Sequence, residues 1–123
     1  MVEIEVHGAA PAGAKHAARA ALRAVAVTDG HLAIAFVDED AMRRINREHR
    51  GRDEATDVLS FPVDGTGAVS GPRELGDVVV CAARAEDPVE AVVHGVLHLC
   101  GMDHETDSGE MLATQDRVMG EIA

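Results

Sequence analysis

The chain is poor in the features that would staple it, embed it in a bilayer or draw it to polyanions. Its two cysteines, Cys81 and Cys100, lack zinc-finger spacing, and each sits in an otherwise apolar segment. They read as buried free thiols in a reducing cytosol, not as a disulfide framework. No apolar run approaches the roughly 20 residues that span a bilayer, so no membrane association is expected. Lysine is almost missing: Lys15 stands beside ten arginines, and the net charge is −11. A strongly acidic surface repels phosphates, so any dealing with nucleic acid needs positive charge gathered locally. Genome composition or a salty environment would explain the lysine shortage equally well. No internal repeat, interdomain linker or targeting signal is evident in these residues; the Ala- and Arg-rich stretch 12 to 26 superficially resembles a transit peptide but follows a strand and is expected to be a folded helix. At 123 residues the chain is expected to form one domain, 1–123, with enough core to fold unaided.

What is present is apolar periodicity. Val2, Ile4 and Val6 alternate over residues 2 to 7 as in a half-buried strand. Over 12 to 26, Ala14, Ala17, Ala18, Ala21, Leu22 and Val25 recur at helical spacing, opposite a stripe of Lys15, Arg19 and Arg23. His31 to Val37 reads as a second strand, and Asp38 or Asp40 can cap a helix running towards Arg50. A third strand is expected near Val58 to Phe61, stopped by Pro62, and a fourth near Asp77 to Ala82. Between them Asp64-Gly65-Thr66-Gly67 and Ser70-Gly71-Pro72 mark a mobile, exposed loop. Met111, Leu112, Val118, Met119 and Ile122 support a last helix. The order β-α-β-α-β-β-α-α predicts an α+β domain with a four-stranded sheet.

The penultimate helix carries the chemistry. Asp87 can cap it, Pro88 suits its first position, and Glu90 completes a capping-box pattern, giving a helix over about 88 to 100. Within and after it, His94, His98 and His104 fall at the spacing H-x-x-x-H-x-x-G-x-x-H. Residues four apart share a helix face, so His94 and His98 can aim at one centre. Gly101 suits the left-handed residue that ends a helix and lets the chain return with His104. Three imidazoles leave a fourth position open on a four-coordinate ion, which is the arrangement of catalytic zinc sites. Imidazole also suits nickel, copper or iron. Mid-helix Gly95 costs about 1 kcal/mol against alanine, so either substrate or a packed segment must approach it closely. The spacing matches that of metzincin proteases, but Gly95 stands where H-E-x-x-H enzymes carry their glutamate base.

Charge is distributed unevenly. Arg43, Arg44, Arg47, Arg50 and Arg52 fall within ten residues, while acids crowd residues 103 to 121. A local basic groove on an acidic body is one expectation, and a solvated arginine-rich helix face the other.

Three blocks in order resemble the YbeY family of bacterial metal-dependent endoribonucleases. HGVLHLCGMDH, residues 94 to 104, is similar to its H-G-x-L-H-L-x-G-[YH]-D-H signature, with Met102 where an aromatic residue or histidine is common. Asn46 to Asp53 followed by Thr56-Asp57-Val58-Leu59-Ser60-Phe61-Pro62 resembles N-x-x-[YH]-R followed by T-[DN]-V-L-S-F-P, and Leu75 to Cys81 resembles the L-G-D strand. The resemblance implies a mixed sheet around a central metal-bearing helix. It also implies a zinc-dependent, single-strand-specific endoribonuclease, acting in the cytoplasm on rRNA at the 16S 3′ end and in ribosome quality control, with the small ribosomal subunit or assembly factors as partners. His94, His98 and His104 would hold one zinc ion, or another divalent transition metal, and water on it would be acidified. Arg50 matches the family's arginine and would stabilise phosphate charge, with Arg47 and Arg52 as weaker RNA contacts. Asp77 and Asp103 are expected to orient histidines or backbone rather than ligate metal. No residue identifies itself as the general base. The rivals are a metzincin-like metallohydrolase or protease, and a non-catalytic ribosome-assembly factor with structural zinc.

Overall fold

The computed structural model describes residues 1 to 64 and 67 to 123. Within the expected loop, Gly65 and Thr66 lie outside the described residues. The elements follow the expected order: β1 Glu3–His7, α1 Ala14–Ala24, β2 His31–Phe36, α2 Glu39–Arg50, β3 Val58–Pro62, β4 Glu74–Val80, α3 Pro88–Leu99 and α4 Glu110–Ile122. The four strands form one mixed sheet in the order β1-β2-β4-β3. β1 and β2 run parallel, as do β2 and β4, while β3 is antiparallel to β4 and lies at the edge.

Alternation along β4 divides the interior. Val78 and Val80 point into the main core with Leu32, Ile34, Val92, Val96 and Leu97. Val79 points the other way, joining Met42, Leu59 and Cys81 beneath α2. Helices α1, α3 and α4 thus share one face of the sheet, and α3 touches β3, β4, α1 and α4. The central helix is the one that bears the histidines. With no tryptophan or tyrosine and two phenylalanines, this core is filled by aliphatic side chains. The alanine face of α1 lets it lie close on α3: Ala17, Ala18 and Ala21 are fully buried.

β3 runs through Pro62 instead of stopping before it, and two elements differ from the sequence reading by more than one residue at each end. β4 begins at Glu74, not Asp77, and ends at Val80, not Ala82. Leu75 is an extra residue where the ladder to β2 shifts register, and Gly76 takes φ +134° where a Cβ would meet the Phe61 carbonyl oxygen. A glycine that looks like a strand breaker is the means by which two backbones approach. Helix α1 spans Ala14–Ala24 instead of 12 to 26, because Gly13 at φ +88° starts it and left-handed Ala26 lies beyond its end. At α2, Asp38 is the cap: its carboxylate accepts from the Ala41 amide at 2.8 Å.

Candidate metal centre

Local chemistry fixes both ends of α3. The Asp87 carboxylate accepts from the Val89 and Glu90 amides at 3.0 and 3.3 Å, and Pro88 follows it as the first helical residue. At the other end Gly101, at φ +94°, donates to the His98 carbonyl at 3.0 Å, and Met102 donates to the Leu97 carbonyl at 3.1 Å. This paired closure is the Schellman arrangement, which a left-handed glycine makes possible. The chain then tightens around Asp103. Its carboxylate accepts from Glu105 N at 2.9 Å, and its carbonyl from Thr106 and Asp107. Asp103 therefore shapes the turn that returns His104, whereas Asp77 is an exposed residue of β4 that does not line the site.

The three rings converge. Centroids of His94 and His98 lie 4.8 Å apart, those of His94 and His104 5.0 Å, and those of His98 and His104 5.3 Å. One nitrogen from each falls within 4.8 Å of the others. Their states suit a ligand role. His94 donates from Nδ1 to the Gln115 side-chain oxygen at 2.8 Å, which leaves Nε2 to carry the lone pair. His98 is held below its ordinary pKa of 6.5, first by burial and then by the neighbouring His94 and His104, so it stays neutral. Nδ1 of His104 is buried without a hydrogen-bond partner. A nitrogen buried without a partner in the chain, on a ring that converges with two others, fits a metal-ligand set. Burial pushes the adjacent Cys100 thiol up to about 11, and the converging group among the described residues is His94, His98 and His104 without a cysteine.

The histidines line a cleft of about 760 Å³ bordered by β3, the Asp87 cap, the His104 turn and Gln115 of α4. Arg50 reaches this wall from the end of α2: its guanidinium donates to the Ser60 carbonyl at 2.9 Å and lies over the Phe61 ring at 5.6 Å. Arg47 and Arg52 do not line it. Arg47 turns to Asp53 at 3.5 Å, Arg43 holds the same carboxylate through two bonds, and Arg52 lies 4.0 Å from Glu54. The arginine cluster is thus a solvated helix face from which Arg50 alone enters the cleft among the described residues. The rest of the rim is acidic, with Asp57, Glu86, Asp87, Glu90, Asp103 and Glu105. Glu90, read in the sequence as a capping residue, also faces this cleft one turn before His94.

The expected close approach at Gly95 is made by a packed segment, not by substrate. A Cβ there would meet Val78 Cγ1 at 2.5 Å and Val58 Cγ2 at 3.2 Å. Two residues of the site escaped the sequence reading. Gln115 comes from α4, 21 positions beyond His94, and Ser60 binds the Gly95 carbonyl from 35 positions away. Gln115 has no local pattern that would betray it, and the block that contains Ser60 does not reveal that its hydroxyl reaches α3.

A mixed sheet packed on a helix that presents two of three converging imidazoles to an open cleft makes a site that could hold a metal ion, the arrangement that three-histidine metallohydrolases use. A family model described as "Endoribonuclease YbeY" matches residues 4–123. Endoribonuclease YbeY of Myxococcus xanthus is 39% identical, the match covering 85% of this chain and 40% of that protein. The Sulfurimonas denitrificans protein of the same name is 37% identical over 80% of this chain and 77% of its own length. The solution structure of TM1509 from Thermotoga maritima superposes with a TM-score of 0.62 at 26% identity, covering 97% of this chain and 88% of that one. The chain belongs to the YbeY endoribonuclease family, hydrolases that act on phosphodiester bonds within RNA.

Proposed function

We propose that this chain is a zinc-dependent, single-strand-specific endoribonuclease that matures rRNA at the 3′ end of 16S rRNA and serves ribosome quality control. It works in the cytoplasm, with the small ribosomal subunit or assembly factors as partners. One observation carries the reading: three imidazole nitrogens within 4.8 Å of one another and the Arg50 guanidinium share one cleft.

His94, His98 and His104 would hold one ion, zinc or another divalent transition metal. When bound, it supplies Lewis acidity towards a phosphodiester oxygen and lowers the pKa of water. Arg50 is held in place by its bond to the Ser60 carbonyl and its seat on Phe61, and its remaining N–H groups are donors for phosphate oxygens. Held so, it needs little reorganisation as charge develops. Of the six carboxylates lining the cleft, Glu90, one turn before His94 on the same helix, would accept the proton of the attacking hydroxyl. Arg47 and Arg52 would touch the RNA backbone beyond the cleft. The acidic rim leaves Arg50 and the ion as the two positive groups facing phosphate, which ties substrate capture to metal loading.

The edge strand argues against peptide hydrolysis by strand addition. In the β3–β4 register, Leu59 and Phe61 turn their backbone groups to β4, and Val58, Ser60 and Pro62 turn theirs outward. There the Val58 amide is taken by Asp57 at 2.8 Å, the Ser60 carbonyl by Arg50, and Pro62 has no N–H. A peptide would find few partners.

The test is cleavage of single-stranded RNA by nuclease-free protein, compared with His98→Ala and Arg50→Glu at matched folded fraction. Wild type should cut and both variants should not. Cleavage of a peptide library without nuclease activity would overturn the reading. Unfolding on metal removal, with Arg50→Glu fully functional, would leave zinc a structural role.

A further inference from the structure

We propose that Gln115 is a positioning residue for the metal centre, fixing the ring and the proton of His94 so that helix α4 and the metal hold each other in place. The inference rests on the reading of His94, His98 and His104 as metal ligands.

Gln115 is one of three buried polar residues among those described, with Asn46 and Ser60. A buried amide is costly unless bonded, and each of the three makes a specific bond. Asn46 closes the end of α2 onto the Glu54 carbonyl, and Ser60 ties β3 to α3. Gln115 alone bonds a ring of the site, at 2.8 Å. An amide oxygen has only lone pairs to offer, so with that oxygen facing His94 the tautomer this contact selects carries its proton on Nδ1 and leaves Nε2 free. The helix segment that carries it is itself held. Met111 and Val118, one turn to either side on α4, are fully buried in the main core. The ring is therefore set before an ion arrives, which spares the metal the cost of choosing a tautomer and a rotamer. Conversely, any ion that orders His94 tightens the seat of α4 on α3.

The experiment measures zinc affinity of the whole protein by competition with a chromogenic chelator, and the His94 tautomer in metal-free protein by its ring nitrogen shifts. Gln115→Leu should weaken zinc about 10- to 100-fold and mix the His94 tautomers. Gln115→Glu, a stronger acceptor of the same shape, should keep the Nδ1–H tautomer and bind zinc severalfold more tightly. Leu112→Ala, exposed on the same helix, should change neither. Zinc uptake by wild type with equal affinities in both Gln115 variants would overturn this inference alone. No zinc uptake by wild type would overturn it together with the metal reading. If the leucine variant does not fold, the glutamate variant decides: unchanged or weaker affinity overturns the proposal.

Discussion

The hydroxyl of Ser60 donates to the carbonyl of Gly95 at 3.0 Å across a fully packed interface, joining the edge strand to the metal-bearing helix between its two histidines. The same residue offers its own carbonyl to Arg50 at 2.9 Å. The two halves of the site, imidazole and guanidinium, are therefore registered to each other through one residue of β3. Ser60→Ala removes the hydroxyl and keeps the carbonyl. It should cost about 1 kcal/mol of stability in denaturant unfolding, the net worth of a buried neutral bond, and reduce RNA cleavage much less than any change at Arg50. A loss of activity equal to that of Arg50→Gln would mean that the hydroxyl, not the carbonyl, sets the guanidinium.

Gly95→Ala tests the fit of α3 on the sheet. Alanine is favoured in a helix by about 1 kcal/mol, but its methyl would lie 2.5 Å from Val78 Cγ1, a stiff, fully buried side chain. Overpacking of this kind costs about 1 to 3 kcal/mol, so destabilisation should win. The double variant with Val78→Ala should recover much of the loss, a coupling that thermal unfolding of the four proteins would measure.

How much of this was legible follows the range of the interactions. The ends of α3, the turn at Gly101 and the convergence of three histidines depend on residues within a few positions, and their spacing announces them. Arg50 was placed by its sequence block, yet Arg47, three residues away on the same side of α2, could not be separated from it by pattern: Arg50 bonds the Ser60 carbonyl at the cleft while Arg47 turns to Asp53. Contacts spanning long stretches of chain leave no periodic trace, hence Gln115 was invisible, and the bond of Ser60 to Gly95 was too, although Ser60 lies in a recognisable block. The early start of β4 was hidden for another reason. Gly76 serves a close approach to Phe61 that only the assembled sheet reveals.

Arg50→Gln should lower RNA cleavage by about 100- to 1,000-fold, the usual effect of removing one preorganised donor from developing charge. Bound metal, measured by elemental analysis, should not change, because Arg50 touches Ser60 and Phe61 and no histidine. Arg50→Lys should recover only part of the rate, since an ammonium cannot both bond the strand and present a planar fork to phosphate. Loss of metal in either variant would show that Arg50 acts on the ligand set.

Zinc should stabilise the domain without being required for it. Both apolar clusters are built entirely from side chains other than the histidines, so chelation should leave the protein folded. Free zinc at 100 times its dissociation constant should add about 2.7 kcal/mol, seen as a raised Tm that His98→Ala abolishes. Collapse of the fold on chelation would assign zinc a structural place.

A histidine bonded to two carboxylates ties three strands together outside the residues that line the cleft, and its contribution should depend on pH. His31, at the start of β2, meets Glu74 of β4 at 2.7 Å through Nδ1 and Glu5 of β1 at 3.2 Å through Nε2. The Glu74 hydrogen bond is the main cause that raises the His31 pKa above its ordinary 6.5, opposed by burial and helped by Glu5. The bond to His31 lowers Glu5 below its ordinary 4.5. A raised imidazole pKa contributes stability that is complete below 6.5 and is lost as pH rises through the folded value. A lowered carboxyl pKa contributes stability present above 4.5 and lost as pH falls through its folded value. The clamp should therefore work best between those limits. The stability difference between wild type and His31→Gln, followed by urea unfolding, should peak near about pH 5.5 and shrink by about pH 8.5. A difference that stays constant from about pH 5 to 9 would mean that His31 acts here by packing and neutral hydrogen bonds, with no part for its charge.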